Sequence, residues 1–172
     1  MFTAYAKIDN IPGESTEDGH KNWIELVGFN VEGLQQQAGS SSKGGALSSG
    51  RSEMKPVTLY KYVDKASPKI FEACMKATHI PTIQLEICRS TGGSKPLTFM
   101  KYEVDKAMIT GFEQYGNDPN QPHNGAVGTS DDLPMERVQI VGVQHKSTYT
   151  ETDVAGKKKG DVSAQYNLSQ AK

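Results

Sequence analysis

Four histidines, two cysteines and two adjacent carboxylate pairs are the side chains best equipped for chemistry here, and their spacing limits what that chemistry can be. His20, His79, His123 and His145 form no HxxxH or HExxH, so local geometry sets no two imidazoles on one metal. Ligands gathered from distant segments are the alternative this spacing leaves open. Cys74 and Cys88 show no CxxC spacing and no base beside them in sequence, which argues for two reduced thiols and against a nucleophile unless folding supplies a histidine. Glu17-Asp18 and Asp131-Asp132 sit in turn-like runs, where water solvates carboxylates and no apolar wall raises a pKa for acid catalysis. GxSxG, GxxxxGK[ST] and GxGxxG are absent from the sequence. No catalytic set, metal site or cofactor is expected, and an enzyme is not the expected function.

Composition narrows the remaining classes. A chain of 172 residues is most simply one domain, 1–172, able to bury about two thirds of its unfolded surface without disulfides or metal. Its 35% hydrophobic content and mean hydropathy of −0.57 are low for a compact monomer, so some apolar surface is expected to be completed by partners. A net charge of −1 gives no general attraction to nucleic acid or anionic membrane. The aromatic residues, scattered through apparent strands, lack the basic interleaving of a platform for single-stranded nucleic acid. Residues 1–30 show no basic run followed by an apolar one, and no segment approaches the roughly 20 apolar residues of a membrane span. The expectation is a protein made in the cytoplasm that, if it leaves the cell, does so without a cleavable signal and without inserting into membrane.

The elements that must position these residues are mainly strands. Phe2–Asp9 alternates apolar and polar and is closed by Pro12-Gly13; Trp23–Gly33 sets Val27, Phe29 and Val31 against Gly28, Asn30 and Glu32. Val57–Val63 leads into the one convincing helix. Ser67 reads as its N-cap and Pro68 as its first turn; Ile70, Phe71, Cys74 and Met75 form its apolar stripe, and Pro81 ends it near His79. Pro81–Ser90 alternates Ile83, Leu85 and Ile87 with Thr82, Gln84 and Glu86. Leu97–Val104, Lys106–Tyr115, Glu136–Tyr149 and Val162–Leu168 complete about eight strands. The fold expected is an antiparallel β-barrel with one flanking α-helix, since closure removes the strand edges that template aggregation. Two loops interrupt it. Gln35–Glu53 has ten Gly or Ser among its nineteen residues and cannot offset its ordering entropy by burial, so it reads as a long flexible loop. Gly116–Asp132 reads as a second loop, and Lys157-Lys158-Lys159 as a solvated hairpin tip.

Two blocks carry a family resemblance. Lys7-Ile8-Asp9, Ile11-Pro12-Gly13-Glu14-Ser15, His20-Lys21 and Trp23-Ile24-Glu25 form the first. Tyr62-Val63-Asp64-Lys65-Ala66-Ser67-Pro68, Phe71-Glu72-Ala73-Cys74 and His79-Ile80-Pro81 form the second, and weaker similarity runs through Leu97–Tyr102 and Glu136–Tyr149. In this order and spacing the chain resembles the haemolysin-coregulated protein (Hcp) family, the tube protein of bacterial type VI secretion.

The resemblance implies that six copies form a ring, that rings stack head to tail into a tube expelled by a contractile sheath, and that the lumen carries effectors. The implied partners are further copies of the chain, a spike protein, the sheath and the effectors. By the same resemblance the second strand lines the lumen: Phe29, Asn30 and Val31 stand where many relatives have tryptophans flanking a serine, which makes Gly28, Asn30 and Glu32 the lumen-facing candidates. The extended loop would reach the neighbouring ring, with Ser40, Ser41, Ser42, Lys43, Gly44, Gly45 and Arg51 as its contact residues. The competing reading is a monomeric, soluble, ligand-binding β-barrel.

Overall fold

The structure, a computed structural model, describes residues 2–37, 49–89, 96–116, 133–153 and 158–170. β1 (Phe2–Ile8) and β7 (Ile80–Arg89) pair antiparallel in the register Ala4↔Ile87, Ala6↔Leu85 and Ile8↔Ile83. All six of those side chains are buried, so the alternation read in sequence becomes one continuous apolar wall. The other strands are β2 (Ile24–Leu26), β3 (Gly28–Asn30), β4 (Gly33–Gln37), β5 (Ser49–Met54), β6 (Val57–Tyr62), β8 (Leu97–Tyr115), β9 (Met135–Val141), β10 (Gln144–Thr152) and β11 (Lys158–Asn167). Their hydrogen-bonded order is β2-β1-β7-β8-β9-β6-β3, with β10 added beside β8 and β11 beside β10. The two ends of that order are consecutive in the chain, separated only by Val27, whose N–H donates to the Tyr60 carbonyl at 2.8 Å. The sheet therefore curls back on itself, barrel-like, around Ile24, Leu59, Ile109, Val138 and Ile140, each at most 1% exposed.

The expected β-barrel with one helix is the observed class, and the strand count differs because expected strands divide. Trp23–Gly33 breaks at Val27, where pairing passes from β1 to β6. Glu136–Tyr149 breaks at Gly142-Val143, where a Cβ on residue 142 would strike Val104. The break expected at Asp105 instead leaves one 19-residue strand, β8. Lys106 takes φ 50° there, and the neighbour on that side changes from β10, paired as far as Asp105, to β9, paired from Met108. The ends of the expected 35–53 loop are also strands: β4 and β5 pair as Gly33↔Met54, Leu34↔Glu53, Gln35↔Ser52 and Gln37↔Ser49 in a two-stranded sheet of their own. Backbone pairing makes these strands, which an argument from side-chain burial does not see. Residues 117–132 and Lys157 lie outside the described residues; Lys158 and Lys159 open β11, exposed and paired with Asp161 and Glu151.

The helix α1 (Ser67–Met75) packs Ile70 and Ala73 into the barrel. Ser67 is not its N-cap. Ala66 holds that position without any side-chain cap, and Pro68 follows in the first turn as expected. The helix stops before His79 because Ala77 adopts φ 49°, with Thr78 N–H donating to Ala73 O at 2.9 Å and Ala77 N–H to Cys74 O at 3.2 Å, a Schellman motif. Glycine usually marks that position; with alanine, the stop has no sequence signal. The apolar stripe is narrower than expected, since Phe71 and Met75 are 51% and 70% exposed.

Candidate functional site

The short strand β3 presents the residues expected to face a lumen. Gly28, Phe29 and Asn30 pair with Tyr60, Leu59 and Thr58 of β6. Phe29 and Val31 are half-buried and pack on the core, whereas Asn30 and Glu32 are exposed and Gly28 is intermediate. The large–polar–large order thus puts large side chains inward and polar ones outward. Val27 breaks the expected parity: it is 41% exposed, because the strand changes partner there. Phe29→Ala is expected to lower stability by about 2 kcal/mol, less than for a fully buried phenylalanine. Asn30→Gln is expected to stay within about 0.5 kcal/mol of wild type. Thermal melts showing the reverse order would overturn this parity.

Of the residues expected to reach a neighbouring ring, Ser40 to Gly45 lie outside the described residues, and Arg51 lies on β5. The described part of the hairpin is exposed at Gly33, Leu34 and Gln35. Between its base and the β10–β11 hairpin lies a cleft of about 220 Å³ lined by apolar residues such as Val31, Met54, Val57 and Val104 and by the polar Glu103, Lys146, Ser147 and Gln165. His145 also borders it. Its Nε2 donates to the Gly142 carbonyl at 3.2 Å, and burial lowers its pKa below the ordinary imidazole value.

Folding does bring one histidine to a cysteine, through contacts the sequence could not show. His20 is 4% exposed, with Nδ1 2.6 Å from Glu17 Oε2 and Nε2 2.9 Å from Glu86 Oε2. Tyr5 stacks on the ring at 4.3 Å and Trp23 meets it edge-on at 4.8 Å. Glu86 also accepts from Thr98 Oγ1 at 2.9 Å. Cys88 Sγ lies 3.9 Å from His20 Nε2, and burial raises its pKa, which disfavours the thiolate a nucleophile needs. The imidazole is committed to two carboxylates and closed off from solvent. It acts as a clamp tying the 13–23 segment to β7. Glu17 is accordingly not simply solvated: its carboxyl is held below the ordinary carboxylate value, chiefly by the His20 hydrogen bond. Glu86 is 66 residues from His20, which is why spacing gives no hint of the cluster.

A second buried polar cluster lies under α1. Lys61 and Glu136 are 1% and 0% exposed. The Lys61 ammonium shares its three N–H groups among four acceptors, Glu136 Oε2 and Asp64 Oδ1 each at 2.8 Å, Tyr62 O at 2.7 Å and Ser67 Oγ at 3.2 Å. Gln114 Nε2 donates to the other Glu136 oxygen at 2.6 Å. Ser67 thus serves this cluster and, by accepting the Asp64 N–H at 3.0 Å, the turn before the helix. His79 is exposed, Cys74 is half-buried, and His123, Asp131 and Asp132 lie outside the described residues. Among the described residues no three His, Cys, Asp or Glu side chains are grouped to hold a metal. Both polar clusters satisfy themselves; β3 with its exposed Asn30 and the hairpin with its cleft are among the surfaces left open.

Comparison with known proteins places this architecture. The structure resembles that of a type six secretion system protein with a TM-score of 0.84 and 28% identity, covering 100% of this chain and 99% of the other. It also resembles Hcp1 from Salmonella typhimurium, with a TM-score of 0.71 and 23% identity over 99% of this chain and 97% of that one. A curated relative, the major exported protein of Pseudomonas aeruginosa, is 23% identical over 124 residues, 72% of this chain and 70% of its own. Residues 5–163 match the profile of the family described as type VI secretion system effector, Hcp, and so the chain belongs to that family.

Proposed function

We propose that this chain is the repeating subunit of a type VI secretion tube: six copies close into a ring, rings stack head to tail, and the assembly is exported. The observation that carries the reading is the family match over residues 5–163, joined to a hairpin that forms a two-stranded sheet of its own. Such a pair is marginal in water by itself and gains stability when a neighbour covers it. A heterologous contact closes into a ring when its rotation fits, and a second contact along the axis builds a filament. Asn30 and Glu32, exposed beside inward-packed Phe29 and Val31, supply the polar wall an effector would meet. The role is mechanical and carrying rather than catalytic. A monomeric ligand carrier needs an open interior, whereas Ile24, Leu59, Ile109 and Val138 occupy this one. Light scattering is expected to give about six times 18.7 kDa and negative-stain images to show rings. A clean monomer at high micromolar concentration would sink the proposal.

A further inference from the structure

We infer that the cleft at the base of the β4–β5 hairpin binds a small neutral phenol, whose hydroxyl donates to His145 Nδ1 while its ring lies among apolar and aromatic side chains. Each copy carries this site by itself, apart from the tube role proposed above. Strand register builds one side of it. His145 stands between Val104 of β8 and Tyr166 of β11, and Ser147 stands between Tyr102 and Ala164. Residues opposite one another in a ladder share a face, so these six line one surface of the three strands. Glu103, Lys146 and Gln165, one step along the same strands, fall on the other face, where the Lys146 ammonium meets the Glu103 carboxylate at 3.3 Å. Among the described residues the cleft thus offers no unpaired ion to a charged ligand.

Val57 and Val104 belong to the buried core, and Val31, Met54 and Tyr102 pack against it, so a guest ring here extends the core outward. An apolar cavity of about 150 Å³ accepts benzene, and this cleft, at about 220 Å³, has room for a substituted ring. Tyr102 and Tyr166 offer aromatic surfaces and Met54 a thioether, which favour an aromatic guest over an aliphatic one of equal size. His145 sets the polar end of that guest. Its Nε2–H is committed to the Gly142 carbonyl at 3.2 Å, and burial disfavours the imidazolium, so Nδ1 carries a lone pair at neutral pH. That nitrogen has no partner among the described residues, yet no buried side-chain nitrogen or oxygen there lacks one, so Nδ1 is not sealed in protein. The place of the ring in the cleft lining opens it to the cleft. An acceptor with no proton to give selects a guest that donates, and a phenol hydroxyl is a stronger donor than an aniline or indole N–H.

The test titrates the full chain, isotope-labelled at its methionine methyl groups, with para-ethylphenol and follows the Met54 methyl resonance, assigned by its loss in Met54→Leu. A saturable shift is expected, with para-ethylphenol binding at least about five-fold more tightly than ethylbenzene, which has the same ring and no hydroxyl. His145→Phe is expected to bring the two within about two-fold of each other. Ala164→Phe, which fills the cleft, should abolish both shifts, whereas Ser163→Phe, on the opposite face of β11, should leave them. Should His145→Phe not fold, the wild-type preference and the contrast between 163 and 164 decide. Equal binding of the two guests, no saturable shift, or the same loss at 163 and 164 would overturn the site. N-acetyltyrosinamide binding more tightly than para-ethylphenol would overturn a free phenol as the guest and assign the cleft to a tyrosine of a polypeptide.

Discussion

Lys61→Met is expected to destabilise the chain by about 3–5 kcal/mol, the largest effect of any exchange that preserves side-chain volume here. The ammonium is the partner of a carboxylate with no exposure at all, and methionine would leave Glu136 charged, dry and held only by Gln114. Breaking a buried pair on one side is costly because the surviving charge has lost both water and counter-ion. Removing both charges is different. Lys61→Met with Glu136→Gln retains an acceptor for Gln114 and leaves Asp64 as the one charge that has lost the ammonium, beside the neutral Tyr62 carbonyl and Ser67 hydroxyl; the Asp64 side chain is 13% exposed and can recruit water. The double variant is therefore expected to recover most of the single variant's loss. Ser67→Ala belongs to the same cluster, since it deletes one acceptor of the ammonium and the partner of the Asp64 amide. It should cost about 1 kcal/mol as a lost buried hydrogen bond and not as a lost helix cap. Urea midpoints at constant slope measure all three. A Lys61→Met loss below about 1 kcal/mol, or a double variant no better than the single, would show that the pair is not coupled.

What the sequence made legible, and what it did not, separates along a physical line. Alternation in Ile83, Leu85 and Ile87 was sufficient because each side chain is decided by its own burial, and β7 pairs with β1 as that alternation requires. Alternation fails where pairing changes hands within a strand. Val27 looks like an inward residue of one long strand and is exposed because β2 and β3 answer to different neighbours. β8 looks like two strands and is one, because a single left-handed residue, Lys106, bends it without ending it. The β4 and β5 strands are held by backbone pairing that composition does not encode, and the helix stop at Ala77 lacks its customary glycine. The exposure of Asn30 between half-buried Phe29 and Val31 was legible as parity, whereas the His20 and Lys61 clusters were not: Glu86 and Glu136 are 66 and 75 residues away and meet them only in the folded sheet.

Gly13→Ala is expected to cost about 3 kcal/mol, the upper end for an added methyl, because what it meets cannot move. A Cβ at this position would run into the carbonyl oxygen of Trp23 and the amide of Ile24, which are backbone at the entry to β2 and have no rotamer to escape through. The close approach is enforced by Gly13 N–H donating to Asn22 O at 2.7 Å and Ser15 N–H donating to Trp23 O at 3.0 Å. Relieving the clash moves the 13–23 segment away from the barrel and takes His20 off Glu86. This gives the variant a signature beyond lower stability. In the wild type, Glu17 is held below its ordinary value of 4.5, so its pairing with His20 contributes stability that is fully present above the unfolded carboxylate pKa and is lost as pH falls through the lower, folded one. Glu17 and His20 lie on the same segment, so their pair travels with it when it lifts, and that part of the acid limb is retained. Denaturation between pH 6 and the acid limit should therefore show a lower midpoint at neutral pH with the wild-type fall below about pH 4.5. A shallower acid fall would mean that the 17–20 turn itself has come apart, and a wild-type midpoint would mean that the backbone at Trp23 yields.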